Sequence, residues 1–216
     1  MSDQYDADYF ERGIATGKSL YTDYRWIPEL TIPMAMTLID YLGIRRGDLV
    51  LDFGCSKGYL VKALRMLHRD CWGLDVSDYA ISHSDPETKY YCRLTNGACN
   101  YEELFPVKRF SYCIAKDVFE HVPKEVLPNV LRAIPSNILF AIVPFGDAGR
   151  YRIPAYEMDT THIIREPEAW WKRVFKSAGW KVNKMEHVVP GIKDNWARYT
   201  TGNGFFVLER KGVAHD

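Results

Sequence analysis

A chain of 216 residues, 47% apolar and 26% charged, is enough for one α/β domain with a full core and short for two. Its 28 Lys and Arg balance 28 Asp and Glu, so no global field draws in nucleic acid or an anionic membrane. The five cysteines, Cys55, Cys71, Cys92, Cys99 and Cys113, are odd in number and form no C-x-x-C. They read as reduced, buried thiols rather than a disulfide framework. With no signal-peptide pattern and no apolar run long enough to span a bilayer, the expectation is a cytoplasmic, unanchored protein.

Residues 1–27 are polar but carry Tyr5, Tyr9, Phe10, Tyr21, Tyr24 and Trp26. Such a segment either closes over a ligand, its rings excluding water, or packs across a sheet edge. Gly13-Ile-Ala-Thr-Gly-Lys-Ser19 has one residue too few between its glycines for a phosphate loop and no strand before it. Pro28 to Leu42 reads as a helix with Leu30, Met34, Leu38, Ile39 and Leu42 to one side and Gly43 as its stop.

Leu49-Val-Leu-Asp-Phe-Gly-Cys-Ser-Lys-Gly58 is an apolar strand breaking into a turn, and Tyr59 to Leu67 resumes as a helix burying Leu60, Ala63, Leu64 and Leu67. A turn at the carboxyl end of the first strand is where doubly wound α/β sheets bind nucleotides. The dinucleotide pattern G-x-G-x-x-G fails, because Ser56 and Tyr59 fill its second and third glycine slots. What remains is Asp52, Gly54 and Gly58. An acid there suits a ligand with an amino group and would repel a pyrophosphate. S-adenosylmethionine carries such an amine, and a carboxylate that can face the helix start. About twenty residues on, Cys71 to Val76 is a second strand ending in Asp75, with Ser77 capping a helix. A carboxylate at that point can accept both ribose hydroxyls of an adenosine ligand, and Val76 can pack on the adenine.

Tyr90 to Leu94 and Phe110 to Ala115 read as the third and fourth strands, and Asn137 to Val143 as an apolar fifth. Between the last two, a helix from about Lys124 to Ile134 carries the awkward Pro128. Pro144 to Glu166 is a long polar connection expected to lack structure of its own and to be functional. Glu168 to Ala178 is a helix, and Trp180 to Met185 and Gly204 to Glu209 close the sheet.

These motifs resemble the class I S-adenosylmethionine-dependent methyltransferases, with VLDFGCSKG, GLDVSDYAI and Asp117-Val-Phe-Glu-His-Val-Pro123 similar to the first, second and fourth family motifs. The last is similar to the version in small-molecule O-methyltransferases of quinone and sugar pathways. The resemblance implies a doubly wound α/β fold with a seven-stranded, mostly parallel sheet whose last strand is antiparallel. It also implies one domain over 1–216, divided into an aromatic segment and helix (1–46), a cofactor-binding core (47–145), a substrate loop (146–166) and a C-terminal helix and strands (167–216). Asp52, Gly54, Cys55, Gly58, Asp75, Val76, Asp117 and Val118 are then the expected cofactor contacts. The family's usual acid for the adenine amino group is replaced by Thr95 and Asn96, and its common Asp in the fourth strand by Ser111.

The expected reaction is methylation of a hydroxyl on a small metabolite or sugar; carbon or nitrogen methylation, or a binding module without turnover, are the alternatives. An alcohol acceptor must lose a proton. His162, in the long connection after Asp159-Thr-Thr, is the favoured base; its bland role is to anchor the loop. His121 and Glu120 follow the fourth strand, where relatives line the acceptor site. Arg150 and Arg152 are candidates for holding an anionic group of the acceptor. Asp147 and Asp159 make no convincing hard-ligand cluster, so no metal is expected. The slot after the fourth strand lacks the Pro-Pro-aromatic element of nucleobase amino-methylation, and with zero net charge as well nucleic acid is not an expected partner; nor, from the charge balance and the apolar runs, is a membrane.

Overall fold

The computed structural model describes residues 4–97 and 100–211, with Cys99 outside them. Its sheet has seven strands: β1 (Leu49–Phe53), β2 (Asp70–Asp75), β3 (Cys92–Leu94), β4 (Phe110–Lys116), β5 (Ser136–Pro144), β6 (Trp180–Glu186) and β7 (Asn203–Arg210). They lie in the order β3-β2-β1-β4-β5-β7-β6, with β7 antiparallel to both of its neighbours and β1 to β5 parallel. The chain winds outward from β1 to β3 and then returns to β4 on the other side. A crevice therefore opens at the carboxyl ends of β1 and β4, the switch point of such sheets.

Among the described residues seven α-helices accompany the sheet: α1 (Ala7–Glu11), α2 (Gly13–Thr16), α3 (Pro28–Leu42), α4 (Tyr59–Met66), α5 (Asp78–Ser82), α6 (Leu127–Ala133) and α7 (Glu168–Ser177). Side chains alternate across a strand, so β1 sends Leu51 and Phe53 to one face and Val50 to the other. Leu51, Cys113, Leu139 and Phe206 pack with Leu131 of α6 and with Trp171 and Phe175 of α7. Val50, Ile114, Phe140 and Phe205 pack with Ala35 and Leu38 of α3 and with Leu60 and Leu64 of α4. Both layers are apolar because a parallel sheet covered on both faces leaves its strands no solvent side.

Two expectations shift. The helix after the fourth strand begins at Leu127, with Pro128 in its first turn, where a missing N–H costs nothing. The connection 144–166 is not structureless: it holds a hairpin pairing Gly146 with Tyr151 and Asp147 with Arg150, and a 3-10 turn over Pro154–Met158. Tyr151 is its anchor, its ring buried and its hydroxyl donating to the Ile164 carbonyl at 2.8 Å. No helix among the described residues is long and apolar enough to cross a membrane.

Gly58 starts α4 at φ +78°, and a Cβ there would lie 2.7 Å from Cys92 Sγ and 2.9 Å from Thr88 Oγ1. Its glycine is thus required by conformation and by packing against β3, both independent of any ligand. Gly58→Ala is expected to cost about 1–3 kcal/mol in urea unfolding, with cofactor affinity of the folded fraction unchanged in calorimetry.

Candidate active site

A cavity of about 440 Å³ occupies the switch point, within the size range of small-molecule sites. Its floor is the turn after β1. Gly54 lies at φ +82°, and the Cβ it lacks would fall 2.4 Å from Val118 Cγ2. The turn after β4 can therefore close onto the turn after β1 only because residue 54 is glycine. Gly54 and Cys55 both donate their N–H to the Leu74 carbonyl, at 2.7 and 3.0 Å, which fastens the floor to β2.

Asp75 stands on the wall. Its Oδ2 accepts from the Ser56 N–H at 2.7 Å and its Oδ1 from the Ser77 N–H at 2.8 Å. Each carboxylate oxygen keeps a second lone-pair site, so two backbone donors hold the group in place and leave it free to accept two hydroxyls. Burial raises its pKa, and the two backbone hydrogen bonds oppose the shift. Val76, Thr95 and Asn96 line the same end.

Of the expected cofactor contacts, Gly54, Asp75, Val76, Asp117 and Val118 line the cavity, whereas Asp52, Cys55 and Gly58 do not. Cys55 is buried against Gly73, its Sγ 2.6 Å from where a Cβ would stand there. Asp52 is 5% exposed, within β1. Burial first, and then the nearby Asp75 carboxylate, push its pKa up to about 7, against the pull of the Lys116 ammonium. Asp117 has the strained φ of +57°. Burial would raise its pKa, but Lys116 and Lys193 override it and hold the carboxyl well below the usual range. Lys116 Nζ donates to Oδ2 at 2.8 Å and Lys193 Nζ donates to Oδ1. Asp117 is thus already neutralised, and Lys193, from 76 residues away, gave no signal in the sequence.

The opposite wall comes from the N-terminal segment. Tyr5, Tyr9, Phe10 and Tyr21 line the cavity, which favours the covering role over simple edge packing. The segment is held by Lys57, which donates to Glu11 Oε1 and, at 3.0 Å, to the Tyr24 carbonyl. Ser77 Oγ adds a hydrogen bond to the Tyr5 carbonyl at 2.6 Å.

At the β4 end, three side chains converge that the sequence keeps apart. One donor atom from each of Glu120, His121 and His162 lies within 4.8 Å of the other two. His121 is on the cavity wall; Glu120 and His162, 1% and 7% exposed, stand behind it. His162 Nδ1 is 3.0 Å from the Tyr156 carbonyl, which can only accept, so Nδ1 carries the proton and Nε2 the lone pair. Thr161 Oγ1 donates to Asp159 Oδ1 at 2.6 Å and is 2.8 Å from His121 Nδ1. The hydroxyl proton being spent on Asp159, His121 Nδ1 must donate, and its Nε2 is the bare nitrogen. Burial lowers the pKa of both imidazoles, His121 to about 4 with help from His162, and raises that of Glu120 well above the carboxylate range. Asp159, read from the sequence only as an isolated acid, is the hub: its Oδ2 also accepts from Tyr9 Oη at 3.0 Å. Arg150 and Arg152 do not line the cavity; Arg152 is paired with Asp147 at 2.6 Å on the surface hairpin.

The model of the methyltransferase domain family matches residues 33–184, and the chain belongs to that family. It is an S-adenosylmethionine-dependent methyltransferase, and the donors lining the cavity fit that cofactor: Asp75 for the ribose, an apolar slot at Val76, and a glycine floor. No curated protein matches the chain by sequence. Its fold is similar to magnesium protoporphyrin IX methyltransferase from Synechocystis, solved with S-adenosylhomocysteine, with a TM-score of 0.64 at 14% identity over 97% of this chain and 98% of the other. A protein solved in work on converting a disulfide bond into a thioacetal group during echinomycin biosynthesis gives 0.66 at 17% identity, covering 99% and 94%. The 1,6-didemethyltoxoflavin N1-methyltransferase of Burkholderia thailandensis gives 0.57 at 14%, covering 82% and 76%.

Two predictions follow from the two acids. Asp75→Asn removes a charge-assisted acceptor and is expected to weaken S-adenosylhomocysteine binding at least tenfold in calorimetry, with the melting temperature tracked as a control for folding. For Asp52 the folded pKa lies above the unfolded one, so its neutral form stabilises the fold fully below about pH 4, and that stability is lost as pH rises through about 7. Asp52→Asn should therefore flatten the decline in unfolding free energy between pH 4 and 8 that wild type shows.

Proposed function

We propose that this methyltransferase methylates a hydroxyl group of a small metabolite or sugar, with Glu120, His121 and His162 acting as one group at the acceptor. The carrying observation is that corner: two imidazoles with bare Nε2 atoms and a buried carboxyl beside the cavity, at the strand end opposite the ribose acid. A sulfonium methyl is already activated, so what an alcohol acceptor needs is orientation and loss of its proton. In the transfer, the acceptor oxygen bonds to the methyl carbon, the carbon–sulfur bond breaks with its electron pair going to sulfur, and the hydroxyl proton leaves at this corner. Nitrogen nucleophiles that are already neutral need no such acceptor, which is why the corner favours oxygen. Asp75 and Val76 hold the adenosine, and Asp117 and Val118 lie beside the reacting end. The aromatic N-terminal wall suits a ring-bearing or sugar acceptor by stacking and excludes water from the sulfonium.

His162, the base favoured from sequence, is a positioning residue in this reading, because His121 lines the cavity and His162 does not. The identity of the acceptor is read directly by incubating the enzyme with methyl-labelled cofactor and fractionated metabolites, followed by mass identification. A methyl ether is expected; label on nitrogen or carbon would overturn the assignment. His121→Ala should lower kcat about 10²-fold or more and leave S-adenosylhomocysteine affinity within about threefold of wild type.

A further inference from the structure

We infer that Glu120, His121 and His162 form a site for a first-row divalent cation of the zinc type, seated at the acceptor end of the cavity. The inference borrows the hydroxyl-methylation reading for its role, though not for its existence.

Four features of the cluster support it. First, the donors converge: His162 Nε2 is 4.0 Å from Glu120 Oε1 and 3.9 Å from Asp159 Oδ2, and the rings of His121 and His162 lie 4.7 Å apart, centre to centre. A cation held at about 2.0–2.2 Å from each donor needs closures of under about 1 Å per side chain, within the reach of small side-chain rotations.

Second, each imidazole keeps one bare nitrogen, and a cation would displace the proton that burial holds on Glu120. Both imidazoles have spent their Nδ1 protons on acceptors, the Tyr156 carbonyl and the Thr161 oxygens, at 2.8 to 3.2 Å. His162 Nε2 therefore faces the Glu120 carboxyl as a bare lone pair, and a ring nitrogen of His121 lies within 4.8 Å of donor atoms on both. Hydrogen-bonding the far nitrogen to a carbonyl is also how metal-ligating histidines are oriented.

Third, Glu120 Oε2 is buried and has no hydrogen-bond partner, in a side chain only 1% exposed. A buried carboxyl with an unpartnered oxygen is costly, and a cation held by its other oxygen, the one facing His162, would compensate the buried group. The surrounding charged groups are accounted for: Asp159 is engaged by Thr161 and Tyr9, and Lys193 and Lys116 are engaged by Asp117.

Fourth, the shell is incomplete on one side. His121 is half-buried and borders the cavity, so an acceptor oxygen could take a further position. Two imidazoles and one carboxylate with an open position is the donor set of catalytic zinc and related ions, and is too nitrogen-rich for magnesium or calcium. Such an ion lowers the pKa of a bound hydroxyl, its proton passing to water, and would supply the acceptor's activation.

The test uses untagged full-length protein, stripped with a chelator and titrated with zinc chloride in a calorimeter, with magnesium chloride as the comparison. One equivalent of zinc per chain is expected, with magnesium at least a hundredfold weaker, and a raised melting temperature. Zinc affinity should fall at least tenfold in His121→Asn and in Glu120→Gln. His121→Asn is the safer variant because the side chain is half-buried, and circular dichroism checks that each variant folds. Cobalt(II) in place of zinc gives a spectrum that reports nitrogen and oxygen donors. Three results would overturn the site: no saturable heat, zinc binding unchanged in a folded His121→Asn, or a thiolate-to-cobalt band marking binding at the cysteines instead. None of these depends on which atom of the acceptor is methylated, so the cation and the hydroxyl assignments stand or fall separately.

Discussion

The corner where Glu120, His121 and His162 meet depends on one backbone carbonyl. Glu120 C=O accepts from both Ile163 and Ile164, at 2.9 and 3.1 Å, and these two bonds pin the long connection after β5 onto the turn after β4. Together with the hydrogen bonds between Thr161 and His121, they bring His162 beside His121, which is 41 residues earlier in the chain. A buried carbonyl must be satisfied, and here satisfying it with both lone pairs also delivers the second imidazole. Ile164, fully buried, supplies the apolar weight that keeps the clamp shut.

From that clamp a single polar chain runs outward. His121 leans on Thr161, Thr161 on Asp159, and Asp159 on Tyr9 of the N-terminal segment. The segment that covers the cavity is therefore fastened at two points: to the glycine turn through Lys57 and Glu11, and to the histidine corner through Tyr9 and Asp159. Hydrogen bonds in such a buried network strengthen one another and leave each member costly to remove. Walling the cavity and positioning the imidazoles are in this way the same structural event.

Charge is handled by pairing rather than by exposure. Asp117, at the crevice, is neutralised by Lys116 from its own strand and Lys193 from the far side of the fold. Asp52 has no such partner at hydrogen-bond distance among the contacts described, and its carboxyl is held toward the neutral form by burial. The two acids lie at the ends of neighbouring strands β1 and β4, yet burial governs one and ion pairing the other.

Local sequence was enough for whatever is encoded by short-range chemistry. The apolar run into Gly54, the acid at the end of β2, the Ser77 cap and the alternation of buried strands specify a parallel sheet with a ligand-binding turn, because strand period, glycine conformation and capping act within a few residues. The helix after β4 was expected from about Lys124 and starts at Leu127, with Pro128 in its first turn, and the connection expected to be structureless is ordered by the burial of Tyr151 and Ile164. What only the tertiary structure decided is which side chains meet. That Cys55 and Gly58 face the packing between strand and helix instead of the cavity depends on the direction of the turn. That Lys193 neutralises Asp117, and that Glu120, His121 and His162 share one corner, depends on contacts between residues 40 to 76 positions apart. Such encounters are set by how the sheet and its connections pack together, and no period or motif in the linear chain carries them.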